Sequence, residues 1–323
     1  MDIEEMRFAG SLGREFPLPI DRPFTGAMAT DAGISRRQLE RLLASGLIRR
    51  TVRGVYLATE AGDSIELRAR CLALVAPDDC VIVDRHAGWL HGASMVLAPG
   101  EHIGLRPLSI FRPSGKGRLR NHIATSGERW LPKEHVTVVG GMRVTTPLRT
   151  AWDLGRVPWP NAAISAIDQM HRLGRYRPEE FNAGIEQFRG HRWVRTLRVV
   201  GPMADGRAES PPESILRILC RDCRVPVVPQ LEVFDRGRFV ARLDLGNEEL
   251  RFALEYDGLE WHSAPEALER DRNQRQDLAE QDWLLEIFTK EDLFVRTSCP
   301  ELKIRRLYEA ALRRRGHALP RPA

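Results

Sequence analysis

The chain has 323 residues, 42% of them hydrophobic and 29% charged, with a formal net charge of +5. That length exceeds what one hydrophobic core usually serves, so two or three domains are expected, and the balanced composition argues against a low-complexity chain. No run approaches the roughly 20 apolar residues that span a bilayer, which argues against a membrane protein, while the basic balance suits nucleic acid without requiring it.

The first residues are acidic (Asp2, Glu4, Glu5) and lack the apolar core of a signal peptide, so a cytoplasmic location is expected. Thr25 to Ala32 reads as a short helix and Gly33-Ile34 as a turn. Ser35 then stands as an N-cap before Arg36-Arg37-Gln38-Leu39-Glu40-Arg41-Leu42-Leu43, with Gln38 three positions on, as a capping box requires. Ile34, Leu39, Leu42 and Leu43 form its apolar stripe and Gly46 ends it; residues 47–57 follow with strand character and a tight turn at Arg53-Gly54. Helix, turn, basic helix and basic hairpin is the order of a winged helix-turn-helix. Arg36, Arg37 and Arg41 would meet phosphates or base edges of double-stranded DNA, and Arg49, Arg50 and Arg53 would line the wing. The plainer alternative is that these arginines only solvate a small domain.

This stretch resembles the N-terminal winged-helix domain of AbiEi-type antitoxins, which sit beside a partner toxin and repress their own operon. The matching residues are Gly33-Ile34-Ser35-Arg36-Arg37-Gln38-Leu39, then Gly46-Leu47-Ile48, then Arg53-Gly54-Val55-Tyr56. The resemblance implies a DNA-binding unit at 1–60, a companion α/β domain at 61–200 and a cognate toxin as partner.

In the middle segment, Cys80 to Val83 reads as a short strand and Asp84 to Gly92 as a helix. His86 and His91 lie five apart, so they do not share a helix face as a metal pair would. Gly141 to Leu154 reads as a strand entering a helix, with Thr146 capping and Pro147 in the first turn. Residues 161–200 are helical and arginine-rich, and Gly201 to Gly206 reads as a linker.

Beyond it, Ser210-Pro211-Pro212-Glu213 opens a helix, three strand-like runs follow near 226–234, 238–245 and 251–257, and a charged helix covers about 265–281. Trp283 to Phe288 makes a fourth strand and Glu301 to Arg315 a last helix. Cys220 and Cys223 form a lone CxxC within the first helix and read as ordinary helix residues; five scattered cysteines in all show no disulfide framework and suggest a reducing compartment. Asp244 lies near the end of one apolar run, and Glu255-Tyr256-Asp257 closes the next. Glu255 and Asp257 project to the same side of a strand, and Asp244 lies near them if the runs pair as a hairpin. Converging carboxylates repel, and a divalent cation with oxygen ligands is the usual compensation.

The order α-βββ-α-β-α is similar to the restriction-endonuclease-like fold, the PD-(D/E)XK superfamily. Residues 207–315 resemble its bacterial branch related to very-short-patch repair endonucleases, through Glu213, Asp244, the Glu255-Tyr256-Asp257-Gly258 run, His262 and the Arg270-Asp271-Arg272 helix. The resemblance implies Mg2+ or Mn2+ held by Asp244 and Glu255, a catalytic set of Glu213, Asp244, Glu255, Asp257 and His262, and DNA endonuclease activity in a defence, repair or toxin–antitoxin setting. One departure matters: Asp257 stands where the superfamily usually has lysine. The expected molecule is therefore a multi-domain α+β protein: a winged helix, an α/β companion and a restriction-endonuclease-like domain with a mixed central sheet. The alternative is a non-enzymatic, antitoxin-like repressor with a degenerate nuclease domain.

Overall fold

A computed structural model describes residues 3–13, 15–62, 67, 70–71, 73–76, 79–97, 107–118, 124–257, 265–295 and 297–319. The protein is a mixed α+β molecule with several sheets, dividing into two compact units: Met1–Val157 with Leu173–Arg198, and Pro158–Arg172 with Val199–Ala323.

In the first unit, helices Gly26–Asp31 and Arg36–Ala44 lie in the chain between β1 (Phe24–Thr25) and the hairpin of β2 (Ile48–Val52) and β3 (Val55–Ala58), and the three strands form a small antiparallel sheet in the order β1-β3-β2. Local chemistry sets these boundaries. Thr25 caps the first helix by accepting the Met28 amide, and Ser35 and Gln38 form the capping box of the second. Gly54, at φ +82°, lets the β2–β3 hairpin turn where a side chain would be strained. The apolar stripe buries Ile34, Leu39 and Leu42 against Leu12, Phe24 and Ile48, and the helix Ile3–Ala9 adds Met6. The Leu12 amide donates to Glu60 Oε1 at 3.2 Å, tying the segment before β1 to the end of the hairpin.

A second sheet holds β4 (Val81–Ile82), β5 (Leu108–Pro113), β6 (Ala124–Thr125), β7 (Glu128–Arg129), β8 (Val136–Val139) and β9 (Met142–Thr145), with β4 central between antiparallel β5 and parallel β9. Strand β9 feeds the helix Pro147–Gly155, where Thr146 caps the Arg149 amide and Pro147 occupies the first turn. Pro fits there because its missing N–H has no intrahelical partner in any case.

The second unit is built on a four-stranded sheet, β10 (Val228–Asp235), β11 (Arg238–Asn247), β12 (Phe252–Tyr256) and β13 (Leu284–Phe288), in sequence order. The first three run antiparallel, and β13 lies parallel to β12. A parallel partner needs a crossover, which the helix Pro265–Glu280 supplies. Alternation along β12 divides the core. Phe252 and Leu254 pack with Leu216, Phe288 and Ile304 on the side of the helices Pro211–Asp222 and Pro300–Arg314. Ala253 faces Leu243, Leu278 and Trp283 on the crossover-helix side. Helix Pro160–Arg172 belongs to this unit: its fully buried Asp168 accepts from Arg217 at 2.7 Å and from the Asp205 amide at 2.8 Å.

Candidate functional site

The β11–β12 ladder pairs Leu245 with Leu254, and the next step along that register sets Asp244 opposite Glu255. There the backbone ladder stops. The Tyr256 amide donates instead to Asp244 Oδ2 at 2.9 Å, so the carboxylate takes over a position that a strand carbonyl would otherwise fill. On the other side of β11, Gln230 lies opposite Asp244 between the Pro229–Leu245 and Leu231–Leu243 pairs. Gln230 has φ +52°, an irregularity in β10. Its Nε2 donates to Glu213 Oε2 at 2.9 Å, linking the carboxylate of the Pro211–Asp222 helix to the strand pair.

Glu213 is buried, and its two oxygens also accept from the Glu209 amide (2.8 Å) and Ser210 Oγ (2.7 Å). The Glu213 amide donates in turn to Ser210 Oγ, so this pair closes the helix start reciprocally. Burial and the nearby Asp244 charge both push the Glu213 carboxyl above its ordinary range. Burial pushes Asp244 up to about 6, with Glu255 and Glu209 adding repulsion and the Tyr256 amide opposing it. The direction is that of acidic groups crowded together and removed from water.

Asp244, Glu255, Tyr256 and Asp257 line one cleft of about 210 Å3, closed on the helix side by Gln274, Arg275 and Leu278. The Asp257 amide donates to the Phe288 carbonyl at 2.8 Å, which extends the β12–β13 pairing to the end of the acidic run. Among the described residues, no three His, Cys, Asp or Glu side chains gather closely enough to hold one ion. His262 lies outside the described residues. The donors in place are thus two opposed carboxylates. That set suits Mg2+ or Mn2+, since Mg2+ commonly binds through one or two carboxylates and completes its shell with water and phosphate. Sequence reasoning missed Gln230. Gln230 carried no signal, because its role depends on a left-handed backbone conformation at that position and a partner 17 residues away. Arg275 belongs to the charged helix face that the sequence reads as solvated and salt-paired, with substrate contact as the alternative, and it lies three positions from Leu278, which buries that helix against the sheet.

The six N-terminal arginines differ in availability. Arg36, Arg37, Arg41 and Arg53 are exposed. Arg36 pairs with Glu40 at 3.1 Å yet keeps its side chain 92% exposed, and Arg41 pairs with Glu4 at 2.8 Å. Arg49 and Arg50 are half-buried; Arg49 donates to the Gly62 carbonyl, and Arg50 lies 5.6 Å from the centre of the Tyr56 ring. His91 is a buried structural residue whose Nε2 lies 2.7 Å from the Thr145 carbonyl. Cys220 is buried and its thiol pushed up by burial, away from the thiolate that metal or redox chemistry needs.

Residues 21–59 match a family described as "Transcriptional regulator, AbiEi antitoxin". The matched stretch runs from just before β1 to just after β3, and so contains both short helices and the basic hairpin. The chain is also similar to Uncharacterized protein MT2308 of Mycobacterium tuberculosis (strain CDC 1551 / Oshkosh), 27% identical over 254 residues that cover 78% of this chain and 89% of that protein. The same figures hold for Uncharacterized protein Rv2248 of Mycobacterium tuberculosis (strain ATCC 25618 / H37Rv). No helix among the described residues is long and apolar enough to cross a membrane.

Proposed function

We propose that the chain binds double-stranded DNA through a winged helix within residues 1–60 and carries an endonuclease-like domain at 207–315. Within residues 61–200 the companion domain comprises the parts that belong to the first unit, the Pro160–Arg172 helix going with the second. The observation that carries DNA binding is a coincidence: the stretch matching the AbiEi regulator family is also where an exposed basic helix adjoins a basic hairpin. In this reading Arg36 and Arg37 face the major groove, Arg53 tips the wing, and Arg41 reaches DNA once it leaves Glu4. Arg49 and Arg50 stiffen the wing more than they contact phosphates, because both are already engaged by the fold.

The nuclease reading rests on Asp244 opposed to Glu255 in a cleft. A bound Mg2+ or Mn2+ would polarise the scissile phosphate and lower the pKa of an attacking water. The chain's own residues do the positioning. Asp244 is held by the Tyr256 amide, which leaves Oδ1 for the cleft, and Glu213 fixes Gln230 behind it. Arg275, on the cleft wall, supplies the positive charge that the usual lysine would give and that Asp257 cannot. His262 would transfer a proton to or from the phosphate oxygens.

Purified protein incubated with supercoiled plasmid and with mismatched or branched duplexes in Mg2+ or Mn2+ tests this. Nicking is expected, lost in Asp244→Ala and Glu255→Ala while duplex binding persists. Cleavage that survives Asp244→Ala rejects the assignment. A second reading is favoured by the aspartate at position 257: an antitoxin-like repressor whose nuclease fold no longer cuts. It requires salt-sensitive binding to the chain's own promoter, no Mn2+ uptake by calorimetry, and capture of a toxin encoded beside it.

A further inference from the structure

The first unit holds a second cleft, of about 420 Å3, that plays no part in the reading above. Its volume falls in the range of small-molecule sites, roughly 300–1,000 Å3. Five arginines line it (Arg85, Arg129, Arg149, Arg156 and Arg192), against two aspartates, and Arg85 is engaged by the fold, its Nε donating to the Val96 carbonyl at 2.5 Å. The aspartates are already spent on the fold. The Asp153 side chain, with no exposure, accepts from Arg129 Nη1 at 3.1 Å and Arg149 Nε at 3.0 Å, and from Arg156 as well. Asp84 takes both ends of the Arg129 fork, at 2.6 and 3.0 Å. With Arg85 set aside, Arg129, Arg149, Arg156 and Arg192 still outnumber Asp84 and Asp153 in a half-enclosed space, where positive charge is costly until an anion arrives. Arg156 Nε is buried without a hydrogen-bond partner, while its guanidinium lies 4.5 Å from the centre of the Phe188 ring.

The walls add a second kind of chemistry. Trp130, His191 and Trp193 bring flat rings to the same cleft, and Arg192 lies 5.1 Å from the Trp193 ring centre. Two lining residues also hold backbone conformations that side chains avoid, Asp84 at φ +56° and Trp193 at φ +63°. For a residue as bulky as tryptophan such a φ is strained, and strain of this kind concentrates at ligand sites.

We propose that this cleft binds a mononucleotide. Planar guanidinium groups match phosphate oxygens in pairs, and tryptophan and histidine faces stack a base. A fold-stabilising network alone would account for Asp153 and its three partners, but not for Arg192, the exposed ring wall and the strained Trp193 together.

Titration of the full chain by calorimetry and tryptophan fluorescence, with AMP, GMP and GTP, tests the proposal. Guanosine, inorganic phosphate and a short DNA duplex serve as separate arms. One mononucleotide is expected to bind at a single site, with guanosine and phosphate each at least about tenfold weaker, because each supplies half of the contacts. Arg192→Glu and Trp193→Ala, both at exposed positions, should each weaken binding about tenfold or more with the melting temperature preserved. The proposal is overturned if no mononucleotide binds at millimolar concentration, or if binding is indifferent to both substitutions. It is equally overturned if phosphate alone binds as tightly as the nucleotide, or if only the duplex binds.

Discussion

His171 closes the Pro160–Arg172 helix, and burial pushes its imidazole down to about 4, with Asp205 opposing the shift only in part. The fold therefore favours the neutral ring. Above the unfolded value of about 6.5 both states are neutral and stability is complete; as pH falls from there towards 4, the unfolded chain binds the proton and the folded one resists it. Stability should decline over that window by up to about 3 kcal/mol. The difference in urea midpoint between pH 7 and pH 4.5 should shrink in His171→Leu relative to the parent. Gly184 makes a steric case. A Cβ there would overlap the Trp152 ring, which cannot swing away because its Nε1 donates to the Phe181 carbonyl at 2.8 Å. Gly184→Ala should cost about 1–3 kcal/mol in denaturant unfolding, and an unchanged midpoint would show that the ring has room to move.

Elements start and stop where short-range chemistry dictates. Thr25, Ser35, Thr146 and Ser210 each accept an amide from the first turn of the following helix, and each can be picked out in the sequence as a hydroxyl residue before an apolar pattern. Ser210 does most, because it also donates to Glu213, whose other oxygen holds Gln230. Ser210→Ala should lower stability by about 1 kcal/mol. It should also loosen Gln230, visible as a changed side-chain amide resonance; loss of stability with that resonance unmoved would separate the cap from the strand contact. The strands were equally readable. The runs near 238–245 and 251–257 fold as β11 and β12, with Asp244 and Glu255 set opposite each other. What could not be read was how many acids would converge. Two stand opposed while Asp257 only shares the cleft, because the ladder ends where the Asp244 side chain replaces a backbone acceptor.

At the scale of the molecule, a net charge of +5 is too small to decide a partner, and the distribution of arginines matters more. Arg37 is exposed on the helix that the AbiEi regulator family match includes. If it touches a phosphate, Arg37→Ala should reduce the slope of log K against log salt for duplex binding by about 1, with nearly equal loss on all sequences. A loss confined to one sequence would instead assign Arg37 to a base. An unchanged slope would remove it from the interface. Such titrations are best read beside Asp244→Ala, since binding and cleavage are assigned to different ends of the chain.

By itself the sequence determined the caps, the glycine turn at Gly54, the strand runs and the resemblance of residues 33–56 to a regulator domain. All of these depend on residues within a few positions of each other, where spacing and side-chain type carry the information. Tertiary structure alone decided that Arg41 is paired with Glu4, 37 positions away, and that Arg129 spans Asp84 and Asp153. It also decided that the Pro160–Arg172 helix joins the second unit through Asp168 and Arg217. Each of these is an ion pair between distant segments, and a charge in a sequence says that it needs a partner or water without saying which.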